Sequence, residues 1–392
     1  MPPLDALAPC FGWPRRHDRA AQDSSSTDLP LLANPVFSGG AREGKGGRRR
    51  HHHAADPPPP PPRPAVWILA GQSNCTGWNG QDGTAIEPPS APPDDGVLML
   101  TADGQALERA CEPTHLGVWG FDDSSAVGPG LSFARALRRS SMTAAEEVIV
   151  LVPSARGGAS LCQDWSPDAP DDQEDEDGGP VDTRSGSLFG NCVRRTRRAL
   201  ELATIVGPAL SSTSSQPPPP PRLAGLVWVQ GESDGNDEAT ARDYGRVFLE
   251  FLARLEQALA RPLPVVVMAA MAARGREGAF PFIRIVREEQ LRLAAEAEAA
   301  RRETRRRRRD REQGGRRWPA PSLPLLLPPL AARLFAVDMA GFEFYPDEQG
   351  NLVHLTKDGA AALGDALGLT AAAAAETAMA ARHEEARGKT NR

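Results

Sequence analysis

The segment VWILAGQSN, residues 66–74, joins a run of five apolar residues to a polar turn that contains a serine. Apolar residues without alternation are typical of a strand that is buried on both faces, as in a parallel sheet. A serine directly after such a strand is expected at the carboxyl edge of the sheet, where α/β folds bind their ligands. The segment therefore predicts an α/β fold and a first candidate functional residue, Ser73.

Strand-like and helix-like segments alternate along the rest of the chain. The further predicted strands are Val97–Leu100, Val148–Val152, Leu223–Gln230, Val265–Ala270 and Leu334–Asp338. Segments with helical apolar spacing are Leu131–Leu137, Leu188–Leu202, Tyr244–Leu259 and Ile283–Ala300. This alternation predicts a parallel sheet with helices on both faces. The segments that follow the strands, among them GQSN, SARGG and QGESDG, are expected to meet at one edge of that sheet.

The chain has 392 residues, of which 40% are hydrophobic, enough to build a substantial core. Residues 1–64 are rich in Ser, Gly, Arg and Pro and are predicted to be a disordered leader. One domain is predicted over residues 65–370, followed by a helical or disordered tail at 371–392. Polar insertions are predicted within the domain, near 166–179, 211–221 and 301–317.

Charge and composition exclude several classes of protein. The formal net charge of -6 disfavours a nucleic-acid-binding protein, and no run of 18 apolar residues predicts a membrane span. The N-terminal residues lack a basic segment followed by an apolar stretch, so we expect an intracellular, cytoplasmic protein. Five widely spaced cysteines without a CxxC pair predict free thiols and no zinc site.

Hydrolysis through a serine requires a base, usually an imidazole, and donors that stabilise the oxyanion. Seven histidines are present, but only His115 and His354 lie inside the predicted domain. His354 precedes Thr356, which is expected to cap a helix and so to place the imidazole at a helix entrance. His115 lies in an irregular segment, where a structural or substrate-facing role is expected.

Two serines compete for the nucleophilic role. Ser73 follows the first strand, whereas Ser233 lies in QGESDG, which matches the G-x-S-x-G pattern of α/β-hydrolases. Ser233, Asp338 and His354 also occur in the chain order of that enzyme class. The pattern requires a helix directly after the serine, and the polar residues that follow Ser233 predict a later helix start.

Five ordered segments resemble the plant carbohydrate-esterase branch of the SGNH hydrolases, the sialate O-acetylesterase-like domain. They are GQSN (71–74), GPGLSFARAL (128–137), SARGGASL (154–161), GLVWVQGESDG (225–235) and VHLTKDGAAALG (353–364). The resemblance implies a flavodoxin-like, three-layer α/β/α fold with a central parallel sheet. It further implies an enzyme that removes O-acetyl groups from a sugar or polysaccharide, with an acetylated carbohydrate as substrate and with neither metal nor cofactor.

The resemblance also implies roles for individual residues. Ser73 matches the nucleophile, and His354 matches the base that takes its proton. Gly158, or its neighbour Gly157, and the side chain of Gln230 match donors of the oxyanion hole. A backbone N–H of Ser73 or Asn74 is a further expected donor, because the start of a helix leaves such groups free.

One position departs from the family pattern. Family members commonly place an aspartate three residues before the histidine, where this chain has Asn351. An amide oxygen accepts a hydrogen bond from imidazole but lacks the charge that stabilises imidazolium. Asp347 and Glu348 are alternative partners for His354. Two other hypotheses therefore stay open: a weakened or inactive descendant that binds acetylated glycans or a partner, and an α/β-hydrolase that uses Ser233.

Overall fold

The structure is a computed structural model that describes residues 63–79, 96–140, 147–168, 186–206, 219–312 and 333–390. For residues 311–312 and 379–390 only the backbone is described. Residues 1–62 of the predicted leader lie outside the described residues. The same holds for residues 169–179, 211–218 and 313–317 of the predicted insertions.

A mostly parallel sheet forms the centre of the described fold. Its strands are β1 (Arg63–Gly71), β2 (Val97–Leu100), β3 (Leu107–Arg109), β4 (Glu147–Pro153), β5 (Arg222–Val229), β6 (Val266–Ala270) and β7 (Leu334–Asp338). The strand order is β3-β2-β4-β1-β5-β6-β7, and only the β2–β3 pair is antiparallel. The strands predicted from apolar runs are confirmed. Only β3, which is short and has largely exposed side chains, had no apolar run to indicate it.

The helices of the described residues follow the predicted segments. They are α1 (Ser73–Thr76), α2 (Gly130–Ser140), α3 (Leu188–Val206), α4 (Glu238–Leu259), α5 (Ile283–Glu312) and α6 (Lys357–Thr390). Neighbouring residues of β1 belong to different hydrophobic clusters. Val66 clusters with Ala199 and Leu202 of α3, whereas Trp67 packs edge-on against Phe133 of α2 at 5.0 Å between ring centroids. Helices therefore contact the sheet through alternate residues of its strands.

Helices α5 and α6 both continue well past the apolar residues that predicted them, α6 into the tail that was expected to be helical or disordered. Helix α5 continues through the arginine-rich segment to Glu312. Within it, Glu298 and Glu303 each pair with arginines three and four residues later. Such pairs stabilise a helix even when its surface is polar on all sides. Helix α6 begins where predicted, because the Thr356 hydroxyl accepts the Gly359 N–H at 2.9 Å, and it runs to Thr390. Within the described residues, no helix has the length and apolar character needed to cross a bilayer.

A small antiparallel hairpin lies between β7 and α6. Its strands are β8 (Phe344–Pro346) and β9 (Leu352–Leu355), and Tyr345 pairs directly with His354. The connecting turn is stabilised by Asp347, whose Oδ1 accepts the N–H groups of Gln349 and Asn351 at 2.9 and 2.8 Å. Short strands of mixed polarity give no periodic signal, so the hairpin was not predicted. It determines where His354 lies relative to the main sheet.

Candidate active site

Ser73 lies at the carboxyl end of β1, the central strand of the sheet. The preceding Gly71 has φ 143°, and a Cβ at that position would clash with the Val229 carbonyl oxygen of the adjacent strand. Glycine is therefore required where the chain leaves the sheet. The Gln72 N–H donates to the same Val229 oxygen at 2.9 Å, and α1 begins at the serine.

The structure brings Ser73 and His354 together across 281 residues of sequence, with 3.1 Å between Ser73 Oγ and His354 Nε2. Burial lowers the pKa of His354 to about 4, an effect that nearby Arg276 adds to and that Glu232 and Asp347 oppose. The imidazole is thus neutral at neutral pH. A neutral imidazole with its proton on Nδ1 accepts the hydroxyl hydrogen of Ser73 through Nε2.

Asn351 is not brought into hydrogen bonding with His354. Its Nδ2 donates to Asp347 Oδ2 at 3.1 Å, and its backbone N–H donates to Asp347 Oδ1. Among the described residues, no hydrogen bond joins Nδ1 of His354 to a protein acceptor. The effect of Asp347 on the imidazole is electrostatic, since its carboxylate opposes the lowering of the His354 pKa.

The side chain of Asn74 contacts the backbone around His354. Its Nδ2 donates to the Val353 carbonyl at 3.1 Å and to Glu232 Oε1 at 2.6 Å, while its Oδ1 accepts the Leu355 N–H at 2.9 Å. From the sequence, only the backbone N–H of Asn74 was expected to take part in the site. That N–H, at the first turn of α1, meets no acceptor among the described residues.

A buried ion pair lies behind Asn74. Arg276 donates to Glu232 Oε1 at 2.9 Å and to the Val353 carbonyl at 2.6 Å, and both charged side chains are almost completely buried. Glu232 belongs to the QGESDG segment that was expected at this edge of the sheet, whereas Arg276 was not among the predicted site residues. Arg276 lies in the segment that follows β6, so the strand-end rule alone would have indicated it.

The predicted oxyanion donors differ in how free they are. Gly158, with φ 71°, lies in open space, and its N–H meets no acceptor in the described part of the chain. The Gln230 amide, by contrast, is completely buried, and its Nε2 donates to the Ala159 carbonyl at 3.1 Å and to Gln72 Oε1 at 3.3 Å. A third acceptor of that group is Asp234. Gln230 thus connects the segments that follow β1, β4 and β5.

The alternative set of Ser233 and Asp338 does not assemble around an imidazole. The Ser233 hydroxyl donates to the Gly158 carbonyl at 2.9 Å. A single 3-10 turn spans Ser233–Asn236, and the α-helix begins only at Glu238, as predicted. Asp338 is bound by Arg287 through two contacts of 2.6 Å. No hydrogen bond among the described residues joins either side chain to His354.

The remaining candidates lie apart from this chemistry. His115 is completely buried, its Nδ1 lies 3.2 Å from the Thr114 hydroxyl, and burial lowers its pKa to about 3. A substrate-facing role does not fit such burial. In the part of the chain that the structure describes, no three His, Cys, Asp or Glu side chains are grouped to hold a metal ion.

Comparison with known proteins adds an independent finding. The family model described as carbohydrate esterase, sialic acid-specific acetylesterase, matches residues 63–303, a range that includes Ser73 and ends before His354. The chain is 28% identical over 237 residues to the probable carbohydrate esterase At4g34215 of Arabidopsis thaliana. The aligned region covers 58% of this chain and 75% of that protein.

Two solved structures are similar to this one. The structure of the same Arabidopsis thaliana protein matches with a TM-score of 0.50 and 24% identity, covering 79% of this chain and 98% of that chain. The structure of NanS matches with a TM-score of 0.49 and 14% identity, covering 83% and 99%. At such identities the match to the Arabidopsis structure supports the α/β fold and nothing finer.

Proposed function

The chain belongs to the carbohydrate esterase, sialic acid-specific acetylesterase family, and we propose that it acts as a serine hydrolase that removes O-acetyl groups from a sugar or polysaccharide. The observation that carries the proposal is the 3.1 Å contact between Ser73 Oγ and His354 Nε2 at the carboxyl edge of the sheet. Both the position and the neutral imidazole fit nucleophilic catalysis. We propose with it the three-layer α/β/α arrangement of the SGNH hydrolases.

The reaction proceeds in two steps. Nε2 of His354 takes the Ser73 proton as Oγ attacks the acetyl carbonyl carbon, and the proton then passes to the sugar oxygen as its bond to the acetyl group breaks. Water, deprotonated by the same imidazole, attacks the acetyl-serine, and the imidazolium returns this proton to Ser73 Oγ as its bond to the acetyl group breaks and acetate leaves. The free N–H groups of Asn74 and Gly158 are the proposed donors to the oxyanion.

Gln230 takes a different role from the one that the family resemblance implied. Its Nε2 already donates to three protein acceptors, and the residue is completely buried. The Nε2 group has two hydrogens, which these three acceptors already engage, so a donation to the oxyanion would break at least one of these hydrogen bonds. In the proposed mechanism Gln230 therefore positions the Gly158 segment beside Ser73.

Acetate release from purified protein tests the proposal. Suitable substrates are acetylated xylan, acetylated pectin, an O-acetylated sialic acid and ethyl acetate. We expect Ser73→Ala to abolish hydrolysis and Ser233→Ala to retain most of it, because the Ser233 hydroxyl donates to the Gly158 carbonyl and not to His354. Loss in Ser233→Ala with full activity in Ser73→Ala would favour the α/β-hydrolase hypothesis.

Labelling with a fluorophosphonate separates an active site from an inactive descendant. An activated serine reacts with this probe, so peptide mapping should find the adduct on Ser73 in the folded wild-type protein and none in the unfolded protein. The Ser233→Ala variant serves as the matched control and should label normally. A folded wild-type protein that neither labels at Ser73 nor releases acetate would support the glycan-binding or partner-binding descendant.

A further inference from the structure

An exposed tryptophan borders the candidate active site and takes no part in the proposed chemistry. Trp78 follows α1 by two residues, and its side chain is 41% exposed. Its ring centroid lies 6.5 Å from that of the His354 imidazole, with 42° between the ring planes. An indole has an apolar face and a polar N–H, so at this position it offers an amphipathic surface to a molecule bound at His354.

The position of this ring is determined by the active site itself. The Trp78 N–H donates to the Ser73 carbonyl at 3.1 Å, and its own carbonyl accepts the Tyr345 hydroxyl at 3.0 Å. The indole also packs against Phe121, with 5.8 Å between ring centroids. A ring that is already held in place loses little conformational entropy when a ligand binds to it.

A second aromatic ring flanks the same imidazole. Tyr345 pairs with His354 across the β8–β9 hairpin, and their ring centroids lie 6.0 Å apart. Trp78 and Tyr345 thus both lie beside His354. The Trp78 Nε1–H meets no acceptor among the described residues, so the indole presents both an apolar face and a free donor.

We propose, building on the function proposed above, that Trp78 is the stacking platform for the pyranose ring that carries the acetyl group, with Tyr345 beside it. A pyranose has a face of C–H groups, which pack on an aromatic ring, and hydroxyl groups at its edge, which accept hydrogen bonds from a donor such as Nε1–H. An acetyl group offers only a methyl and the reacting carbonyl, and both are the same in every acetyl ester. Affinity and specificity therefore depend on the alcohol side of the ester, where the family description supports a sugar.

The first test compares two acetyl esters that differ only in the alcohol to which the acetyl group is attached. In Trp78→Ala we expect kcat/KM for an acetylated xylo-oligosaccharide to fall about tenfold or more, mainly through KM, and ethyl acetate to change by less than about twofold. Trp78→Phe should be intermediate on the sugar. The control is Ile205→Ala, which removes another exposed apolar side chain, 69% exposed, on α3 and should alter neither substrate. Equal losses on both substrates would overturn the proposal.

The second test measures sugar binding without hydrolysis. Its result therefore does not depend on whether the protein is an active esterase. Calorimetry would compare the acetylated xylo-oligosaccharide on Ser73→Ala and on Ser73→Ala with Trp78→Ala. We expect binding to weaken about tenfold or more in the double variant. Absence of binding to Ser73→Ala, or equal affinities, would overturn the sugar platform. A larger loss for phenyl acetate than for the sugar in Trp78→Ala would assign the ring to an aromatic alcohol instead, and this too would overturn it.

Discussion

The side-chain amide of Asn74 hydrogen-bonds the peptide groups on both sides of His354. Its Nδ2 donates to the Val353 carbonyl at 3.1 Å, and its Oδ1 accepts the Leu355 N–H at 2.9 Å. Asn74 is also the residue directly after Ser73. The proposed nucleophile and base are therefore connected through one side chain, although 281 residues of sequence separate them.

Asn74→Asp should lower kcat strongly in a protein that still folds. A carboxylate has no hydrogen to donate, so the contact with Val353 is lost, and a negative charge is placed against Glu232. We expect a loss on the order of 100-fold in kcat, since misplacement of a base by about 1 Å has such an effect. Steady-state kinetics with ethyl acetate and circular dichroism would measure activity and folding.

Asn79→Asp is the matched control for that change. The Asn79 amide hydrogen-bonds the carbonyl and the N–H of Val127 at 2.7 and 2.9 Å, so the substitution removes the same kind of contact from a residue that is not the base. It should lower stability with a much smaller effect on kcat. Similar losses of kcat in the two variants would contradict the role assigned to Asn74.

The acidic limb of the kcat/KM profile should lie near pH 4. Catalysis requires neutral His354, and a pKa lowered by burial from 6.5 to about 4 keeps the imidazole neutral as the pH falls below 6. Activity at pH 5.5 should therefore be close to that at pH 7. Asp347→Asn should move the limb to lower pH, because it removes a carboxylate that raises this pKa. A limb near pH 6.5 would show that the imidazole is solvated in the active protein.

Placing an aspartate at position 351 should not raise activity. In Asn351→Asp the new carboxylate faces Asp347, replacing a 3.1 Å hydrogen bond with like-charge repulsion, and does not point to His354. We expect a stability loss of about 1–2 kcal/mol and no gain in kcat/KM. The exchanged pair, Asp347→Asn with Asn351→Asp, restores one donor and one acceptor and should recover most of the stability. A several-fold rise in kcat/KM for Asn351→Asp alone would show that residue 351 does reach the imidazole.

Glu232→Gln should destabilise the fold more than the loss of a surface charge does. Glu232 and Arg276 are both almost fully buried, and removing one partner of such a pair costs about 3–5 kcal/mol. Arg276→Met combined with Glu232→Gln should cost less than the sum of the two single changes. Urea unfolding would measure all three variants.

The exposed pair of Glu238 and Arg242, on α4, provides the comparison for the buried one. Their side chains lie 2.6 Å apart on the solvent-facing surface, where such a pair contributes about 0–1 kcal/mol. Glu238→Gln should therefore hardly change the unfolding midpoint. Equal effects of Glu232→Gln and Glu238→Gln would mean that the buried pair is not needed for stability.

The sheet strands could be predicted because their signal is local. Five consecutive apolar residues at 66–70, followed by Gly71, indicate a buried strand and its end from the residues alone, and the structure places β1 at the centre of the sheet. The β8–β9 hairpin has no such signal, because its few residues are only partly buried and its pairing depends on a turn built by Asp347.

Patterns of adjacent residues were enough to predict the α/β class, the strand ends and the two side chains, Ser73 and His354, that lie 3.1 Å apart. The partners around them could be identified only in the folded chain, where Asp347 binds Asn351, the Gln230 amide is occupied and Arg276 pairs with Glu232. Apolar runs and turns reflect the conformational preferences of adjacent residues, whereas hydrogen bonds between distant segments depend on how the loops pack. Motif spacing predicts which residues reach an edge of the sheet, but the partners they bind there are selected by packing.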